Sequence, residues 1–238
     1  MAKPRSRKER QEFLTQRVIR FLNRYGDELD SVSQLLKIRL DQLALAYTLE
    51  TNLPREAVEV RARVKSLKSI LKKLDDNNWP MFYYPTEVIK DLIGARVVCW
   101  FLDDCYGILE YIQSSKQLTI RPKSVEDYIK DPKKTGYRSI HLLADVPYDR
   151  VKTYRNRRKV VEDTMICEIQ LRTKLQDAWG EFTHEVHYKV PGGFEADYET
   201  IVAEIANRLA AEDRSALAVR NLLQKEAEKK KHEGLTDD

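Results

Sequence analysis

Glycine and proline are few and clustered in this chain, and the segments between the clusters have two different apolar periodicities. Apolar residues at helical spacing fill both ends, whereas short apolar or alternating runs fill the middle. Helices are predicted at 11–48 (two helices with a break near Gly26), at 55–74 behind Pro54, around 108–112 with Asp104 as the cap, at 174–189, and at 196–230 after Pro191-Gly192-Gly193. Strands are predicted at 93–102, 118–121, 137–146 and 160–173. Central strands between helical ends predict an α/β (α+β) fold with a mixed β-sheet.

Composition removes several classes of protein. Hydrophobic residues make up 42% of the chain and charged residues 34%, which supports a folded core rather than wholesale disorder. No run approaches the roughly 18 apolar residues of a membrane span, and the start lacks the apolar run of a signal peptide. The cysteines, Cys99, Cys105 and Cys167, form no C-x-x-C pair, which argues against a disulfide framework and a zinc ribbon. We therefore expect a cytoplasmic protein that does not enter a membrane.

Basic residues are concentrated in two places, although the net charge is only +4. Residues 3–10 include five basic residues and one acid, and residues 150–159 include six basic residues and no acid. Such clusters attract phosphate-rich partners. A solvated tail and a solvated loop are the alternative interpretation.

A row of polar side chains is predicted on one face of the strand at 165–173. Successive side chains of a strand point to opposite faces. Glu168, Gln170 and Arg172 therefore share one face, while the apolar Cys167 and Ile169 occupy the other. An acid, an amide and a guanidinium in one row favour a polar cleft, with an ordinary amphipathic surface strand as the alternative.

The segment 133–141, K-K-T-G-Y-R-S-I-H, carries groups suited to a nucleotide. Gly136 permits a sharp turn, after which Tyr137, Ser139 and His141 are predicted to share one strand face. A tyrosine ring is a stacking platform for a base, and Lys133 and its neighbour could contact phosphates. A tyrosine that only covers the core is the alternative.

Two further segments carry charges suited to phosphates. On the helix predicted over 61–73, Lys65, Ser69 and Lys73 form one polar stripe that, beside Arg63, could hold a triphosphate. Asp91 precedes the strand at 93–102, where a Mg²⁺ ligand is expected if phosphates lie nearby. Because Asp91 and Arg96 have opposite parity, both face one site only if Gly94 kinks the strand or Asp91 precedes it. A solvated basic face and a surface acid are the alternatives.

Several catalytic motifs are missing from the sequence. His184 and His187 are three residues apart, not the four of a zinc-protease helix. Neither G-x-x-x-x-G-K-[ST] nor a serine nucleophile elbow occurs. The sequence therefore argues against a zinc protease and a P-loop NTPase.

In their order and spacing, the four polar segments resemble the synthetase domain of the RelA/SpoT homologues over residues 63–189, and most closely the stand-alone small alarmone synthetases. The matching motifs are D-L-I-G-A-R (91–96), D-Y-I and K-K-T-G-Y-R-S-I-H (127–141), E-I-Q-L-R-T (168–173), and Trp179 through His184, Tyr188 and Lys189. The helical ends fit the same layout more loosely. We divide the chain accordingly into a helical extension (1–54), a synthetase core (55–190) and a second helical extension (191–238).

The resemblance implies a nucleotidyltransferase-like mixed sheet flanked by helices, and a Mg²⁺-dependent GTP/GDP diphosphokinase. Such enzymes transfer the β,γ-pyrophosphate of ATP to the 3′-hydroxyl of GDP, GTP or GMP, which makes the (p)ppGpp alarmones of the stringent response. The roles implied by position are as follows: Arg63 and Arg96 sandwich the adenine, Lys65, Ser69 and Lys73 line the triphosphate, His141 contacts a phosphate of ATP, Lys133 contacts a phosphate of the acceptor, Tyr137 stacks on guanine, Gln170 positions the acceptor, Asp91 and Glu168 bind Mg²⁺, and Glu168 activates the 3′-hydroxyl.

The resemblance also has departures and alternatives. Thr183 replaces a glutamate of many small synthetases, so a contact of that glutamate is lost or relocated, and the hydrolase half of the long family members has no counterpart. The same chemistry on the 3′ end of tRNA or on an adenosine nucleotide, with an antitoxin as partner, is one alternative; a non-catalytic module that binds nucleotides or RNA is another. Relatives form oligomers, often tetramers, so a homo-oligomer is expected. An apolar stripe of the last helix serves either self-association or the chain's own core: Ile201, Ile205, Leu209, Leu217 and Leu222.

Overall fold

The computed structural model describes residues 6–154, 157–187 and 195–233. Helices α1 to α5 span Arg7–Glu50, Leu67–Asp76, Leu102–Ser114, Lys174–His187 and Glu195–Glu233. Strands β1 to β6 span Val58–Val64, Ile93–Cys99, Thr119–Ile120, Glu126–Asp127, Ile140–Tyr154 and Arg157–Thr173. Across these ranges, no helix combines the length and the apolar character that crossing a membrane requires.

Within the described residues the strands form one six-stranded sheet in the order β1-β2-β6-β5-β3, with β4 paired to β5. Strands β2 and β6 are parallel, whereas the other pairs are antiparallel. This mixed sheet with flanking helices confirms the predicted fold class. Buried side chains of β1, β2, β5 and β6 join those of α1, α2 and α3 in one hydrophobic core, which leaves the other face of the sheet for polar groups.

Helix α1 is a single helix of 44 residues, so the predicted break near Gly26 is wrong. Leu14, Leu29, Leu36 and Leu40 are buried along its length. Burial of one leucine contributes about 1.5–3 kcal/mol, which outweighs the roughly 1 kcal/mol that a glycine costs inside a helix. Because α1 packs into the same core as the sheet, it is part of the folded body. The predicted boundary after residue 54 stays a prediction, and the boundary after residue 190 lies outside the described residues, as does the break at 191–193.

The predicted helix over 55–74 is also wrong, because its first half is strand β1. The sequence V-E-V-R-A-R-V alternates apolar and charged residues, and Val58 and Val60 are buried while the charged residues between them are exposed. This period of two matches pairing with β2, which fixes the segment as a strand. Helix α2 begins only at Leu67, after Ser66, which caps it.

Strands β5 and β6 form a long antiparallel hairpin whose register runs from Ile140 opposite Leu171 to Tyr154 opposite Arg157. The basic segment 150–159, predicted as a linker loop, therefore lies in these two strands, apart from residues 155 and 156, which are not described. Strand β5 begins three residues later than predicted, and the short β4 was not predicted. Asp104 is not the cap of α3, because Phe101 precedes the helix and Asp104 accepts its backbone N–H at 3.2 Å from within the first turn.

Helix α5 turns small side chains toward the rest of the protein, with Val202, Ala206 and Ala210 buried. Ile201 and Leu222 of the predicted apolar stripe are exposed instead. A helix with small inward residues can approach a backbone closely. Gly136 uses this approach, because a Cβ atom there would lie 2.5 Å from the Cβ atom of Ala206.

Candidate active site

The polar face of the sheet carries the predicted site residues in two rows that follow the strand register. The first row consists of Arg61 on β1, Arg96 on β2, Gln170 on β6 and His141 on β5, each paired with the next. The second row consists of Arg63, Gly94 and Glu168. Pairing of β2 with β6 thus brings side chains from distant parts of the chain to one surface, as the predicted cleft requires.

Glu168 is held from two sides. Its Oε1 lies 3.4 Å from Nδ1 of His141, and its Oε2 accepts a hydrogen bond from Nε2 of Gln170 at 2.7 Å. Burial acts to raise the pKa of Glu168, but His141 and the amide of Gln170 outweigh it and hold the pKa below its usual value. Glu168 is therefore a carboxylate, able to accept a proton or bind a cation.

Asp91 lies just before β2, so it reaches the site without a kink at Gly94. Its Oδ2 forms ion pairs with Nζ of Lys65 at 2.9 Å and with Nζ of Lys73 at 2.8 Å. Burial acts to raise the pKa of Asp91, and the hydrogen bonds and charges of the two lysines lower it below its usual value. Its Oδ1 is buried and has no hydrogen-bond partner among the described residues. An ionised oxygen with a free lone pair at this position is suited to a metal ion.

A cavity of about 260 Å³ lies between β1, β2, β6 and the start of α2. Its lining includes the residues predicted for ATP, except Lys73 and His141: Arg63, Lys65, Ser69 and Arg96. Ser66 and Ser69, whose hydroxyl oxygens are 3.0 Å apart, line the cavity at the amino-terminal end of α2. The positive end of a helix dipole and two lysines make this cavity attractive to phosphates.

A second cavity of about 440 Å³ lies on the other side of Asp91 and Glu168, which line both cavities. Lys73 and His141 line this second cavity, together with further basic residues: Lys90, Arg121 and Lys123. The structure therefore places the two predicted metal-binding carboxylates at the junction of two polar cavities.

Tyr137 contacts His141, as the sequence predicts, but through its hydroxyl group. The hydroxyl lies 2.8 Å from Nε2 of His141 and accepts a hydrogen bond from Nη2 of Arg172 at 3.1 Å. The ring of Tyr137 packs edge-on against Tyr128, with 6.3 Å between the ring centroids, and Lys133 lies over both rings. These aromatic and basic groups adjoin the second cavity through His141.

Ser139 does not share this face, which contradicts the prediction. Strand β5 starts only at Ile140, so the alternation assumed for residues 137–141 does not hold. Ser139 is buried and donates its hydroxyl hydrogen to the carbonyl of Leu171 at 2.9 Å. It fixes the start of β5 against β6.

The sequence interpretation missed a cluster of charged residues beside the first cavity. Nη1 of Arg61 and of Arg96 each contact the carboxylates of Asp177 and Glu181 on α4, at 3.2–3.4 Å. The spacing of Asp177 and Glu181 by four residues, which places them on one helix face, was the available signal. Arg172, noted only as part of the polar row, is buried and contacts Asp177 as well.

The departure at Thr183 has a local explanation. Its hydroxyl donates to the carbonyl of Trp179 at 2.9 Å, one turn earlier in α4, so the side chain bonds its own helix. The side chain of His184 and residues Tyr188 and Lys189, which complete the predicted motif, lie outside the described part of the chain.

Two carboxylates, rather than a larger cluster, are what the site offers a metal. In the described ranges, no group of three or more histidine, cysteine and acidic side chains comes together to hold an ion. The free Oδ1 of Asp91 and the nearby carboxylate of Glu168 nevertheless fit Mg²⁺, because this ion takes one or two carboxylates and completes its shell with phosphate oxygens and water.

Comparisons with known proteins agree with this geometry. Residues 62–192 match the family described as a region found in RelA / SpoT proteins. The chain is 34% identical over 131 residues to GTP pyrophosphokinase YwaC of Bacillus subtilis, and 30% identical over 174 residues to GTP pyrophosphokinase YjbM of the same organism. The two alignments cover 55% and 73% of this chain, and 58% and 74% of the relatives. The chain thus spans little more than half the length of YwaC.

Solved structures show the same fold. The small alarmone synthetase 1 from Bacillus subtilis bound to its product pppGpp superimposes with a TM-score of 0.69 at 27% identity, covering 86% of this chain and 97% of that chain. The small alarmone synthetase 2 from Bacillus subtilis gives a TM-score of 0.64 at 27% identity, covering 82% and 98%.

Proposed function

Because the chain belongs to the RelA/SpoT family, we propose that it is an alarmone synthetase, which transfers the β,γ-pyrophosphate of ATP to the 3′-hydroxyl of GDP, GTP or GMP. Similarity to two proteins named GTP pyrophosphokinase and to a synthetase bound to pppGpp supports this. The observation that carries the proposal is the position of Asp91 and Glu168, which line two adjoining cavities. A transfer between two nucleotides needs such a junction, with one substrate on each side.

The first cavity would hold ATP. Arg63 and Arg96 lie on adjacent strands, and Gly94, opposite Arg63, has nothing within 4 Å of a Cβ position. This leaves open space in which an adenine ring could stack between two planar guanidinium groups. Lys65, Ser69 and Lys73 would then line the triphosphate. Each lysine ammonium has three donors, so its ion pair with Asp91 leaves donors for phosphate oxygens.

The second cavity would hold the acceptor nucleotide. Tyr137, with its neighbours Tyr128 and Lys133, supplies aromatic and basic groups for a guanine base and its phosphates. Gln170 lies 2.7 Å from Glu168, so a nucleotide that it positions would present its ribose to that carboxylate. His141 lines this cavity beside Glu168 and would contact the ATP phosphate nearest the junction.

Asp91 and Glu168 would hold Mg²⁺, which supplies neutralisation of phosphate charge when bound. Glu168 would also accept the proton of the 3′-hydroxyl as its oxygen attacks the β-phosphorus of ATP. The new bond joins that oxygen to the β-phosphorus, the bond from the β-phosphorus to the α–β bridging oxygen breaks, and AMP leaves. Lys65 and Lys73 would stabilise the charge of the transferred and leaving groups. Positioning and charge neutralisation account for most of the catalysis in phosphoryl transfer of this kind.

An acceptor assay tests the proposal. The purified protein would be incubated with Mg²⁺, ATP labelled in the β and γ positions, and separately GDP, GTP, GMP, ADP or bulk tRNA. We expect label on a guanine nucleotide, an equal amount of AMP, and loss of transfer when EDTA removes the metal. The same assay with Asp91→Asn serves as the control for contaminating kinases. Label on none of the acceptors contradicts the proposal.

One observation favours a second acceptor. Arg157, Arg158 and Lys159 are exposed on the β5–β6 hairpin, where they could contact the phosphates of tRNA. In that case the chemistry stays the same, the acceptor is the 3′ end of tRNA, and an antitoxin is the expected partner. Label on tRNA alone would establish this function, and label on ADP alone would establish an adenosine alarmone synthetase.

We also propose that the protein acts in the cytoplasm as a homo-oligomer. The reaction draws on the cytoplasmic pools of ATP and guanine nucleotides. Val219, Leu222 and Leu223 are large apolar side chains exposed on α5, and such residues tend to be covered in assemblies. Sedimentation equilibrium, with Leu222→Glu as the test variant, would show whether this helix mediates association.

A further inference from the structure

The carboxylate of Asp177 on α4 contacts arginines from three adjacent strands. Its oxygens lie 3.2 Å from Nη1 of Arg61, 3.3 Å from Nη1 of Arg96 and 3.6 Å from Nη1 of Arg172. These arginines belong to β1, β2 and β6. One acidic side chain is therefore shared by the three strands that carry most of the two cavities.

The contact with Arg172 is the most deeply buried of the three. The side chains of Arg172 and Asp177 are 2% and 7% exposed, whereas those of Arg61 and Arg96 are 48% and 31% exposed. Charges interact more strongly in a poorly solvated interior, and a buried charge without a partner is costly. Asp177 is thus the acid that compensates the buried guanidinium of Arg172.

Arg172 leads from Asp177 to the acceptor side of the site. Its Nη2 donates to the hydroxyl of Tyr137 at 3.1 Å and also contacts Oε1 of Gln170. Arg96 leads from Asp177 in the opposite direction, because it lines the donor cavity. The same carboxylate therefore contacts one group of each substrate site.

The position of Asp177 is fixed by the start of α4. The hydroxyl of Thr173 accepts the backbone N–H of Gln176 at 3.2 Å, and the amide oxygen of Gln176 accepts the backbone N–H of Thr173 at 3.2 Å. Asp177 follows directly in the first turn of the helix, where the helix dipole favours an acid. A rigid anchor of this kind can hold three flexible guanidinium groups in one arrangement.

We propose that Asp177 is a positioning residue that sets the donor and the acceptor sites in register by holding Arg96 and Arg172 together. This inference rests on the proposed pyrophosphate transfer. Asp177 acts through the two arginines and has no need to touch either nucleotide. Its removal disturbs both sites at once, whereas removal of a residue that contacts only one of the arginines disturbs one site.

The chain offers two matched controls on the same helix. Glu181 pairs with Arg61 and Arg96 but, among the described residues, not with Arg172, and its side chain is 57% exposed. Glu181→Gln therefore tests the donor side alone. A Cβ atom at Gly180 would lie 2.7 Å from Nη1 of Arg172. Gly180→Ala therefore displaces Arg172 without changing any charge, and alanine is the better helix former.

The experiment measures kcat and the KM of ATP and of the acceptor for the wild type and the three variants. We expect Asp177→Asn to raise both KM values by about tenfold, which is the cost of about one charged hydrogen bond at each site. Glu181→Gln should raise only the KM of ATP, and Gly180→Ala only the KM of the acceptor. If Asp177→Asn does not give a folded protein by circular dichroism, Asp177→Glu takes its place, because it keeps the charge and moves the carboxylate by one methylene.

The outcomes separate this inference from the function on which it rests. A wild type without transfer to any acceptor refutes the proposed function. A wild type that transfers, with an Asp177 variant that raises only one KM value, refutes the positioning role. So does a Gly180→Ala variant in which the acceptor KM is unchanged.

Discussion

His141 and Glu168 face each other across strands β5 and β6, with 3.4 Å between Nδ1 of the imidazole and Oε1 of the carboxylate. The other ring nitrogen of His141 lies 2.8 Å from the hydroxyl of Tyr137. That hydroxyl accepts a hydrogen bond from Arg172, so it has its own hydrogen to donate to Nε2. In a neutral imidazole the remaining hydrogen is then on Nδ1 and points at Glu168. The arrangement orients the carboxylate and favours its ionised form.

This arrangement predicts that Glu168→Gln abolishes transfer while nucleotide binding is largely retained. The amide keeps the shape of the side chain but can neither accept the proton of the 3′-hydroxyl nor neutralise a cation. A loss of at least about a hundredfold in kcat is expected for a positioned general base. Turnover is measured with labelled ATP, and binding by calorimetry with a nonhydrolysable ATP analogue. Turnover at the wild-type rate would overturn the role assigned to Glu168.

The ring and the hydroxyl of Tyr137 are expected to contribute separately. Tyr137→Ala removes the stacking surface and should raise the KM of the acceptor far more than the KM of ATP, by about tenfold for a loss of 1–3 kcal/mol of stacking. Tyr137→Phe keeps the ring and removes only the hydrogen bonds to His141 and Arg172, so it should affect kcat more than the acceptor KM. Equal effects of the alanine variant on both KM values would count against stacking.

Asp91 predicts an acid-dependent part of the stability. Its pKa in the folded protein is below the usual value, because Lys65 and Lys73 outweigh the effect of burial. An aspartate in an unfolded chain has a pKa of about 3.9, so the folded state binds fewer protons. The contribution of Asp91 is therefore fully present above about pH 5 and is lost as the pH falls through the folded pKa.

Urea unfolding between pH 3 and pH 7 measures this contribution. In Asp91→Asn the free energy of unfolding should fall less between pH 5 and pH 3 than in the wild type. Asp76→Asn makes the same change at an exposed aspartate of α2 and serves as the control. Identical pH profiles for Asp91→Asn and the wild type would contradict the ion pairs.

The turn before β5 predicts a stability change at Gly136. Its φ of +76° is a backbone conformation that side chains disfavour, and an added Cβ atom would clash with Ala206. Gly136→Ala should therefore destabilise the protein by more than the roughly 1–2 kcal/mol of a left-handed alanine. Adding Ala206→Gly removes the contact with the Cβ atom of Ala206 and should restore part of the loss in thermal unfolding. No recovery in the double variant would show that the backbone conformation accounts for the whole cost.

The family and the fold class could be predicted from the sequence, and both are confirmed. Alternation at 165–173 identified the polar row of β6, because the period of a strand is a local property. Strand β1 was missed because its basic residues continue into α2 at helical spacing. Its identity as a strand is decided by pairing with β2, which follows later in the chain.

The sequence by itself determined which chemical groups the site contains, since the side chains of Asp91, Glu168, Tyr137 and the basic residues are present in motifs with fixed spacing. Tertiary structure decided which of these groups meet. The order β1-β2-β6-β5 places Arg61 beside Arg96, and α4 then sets Asp177 against both and against Arg172. Asp177 is 116 residues from Arg61 and 81 from Arg96. Contacts over such separations depend on strand order and helix packing, which no local pattern of residues encodes.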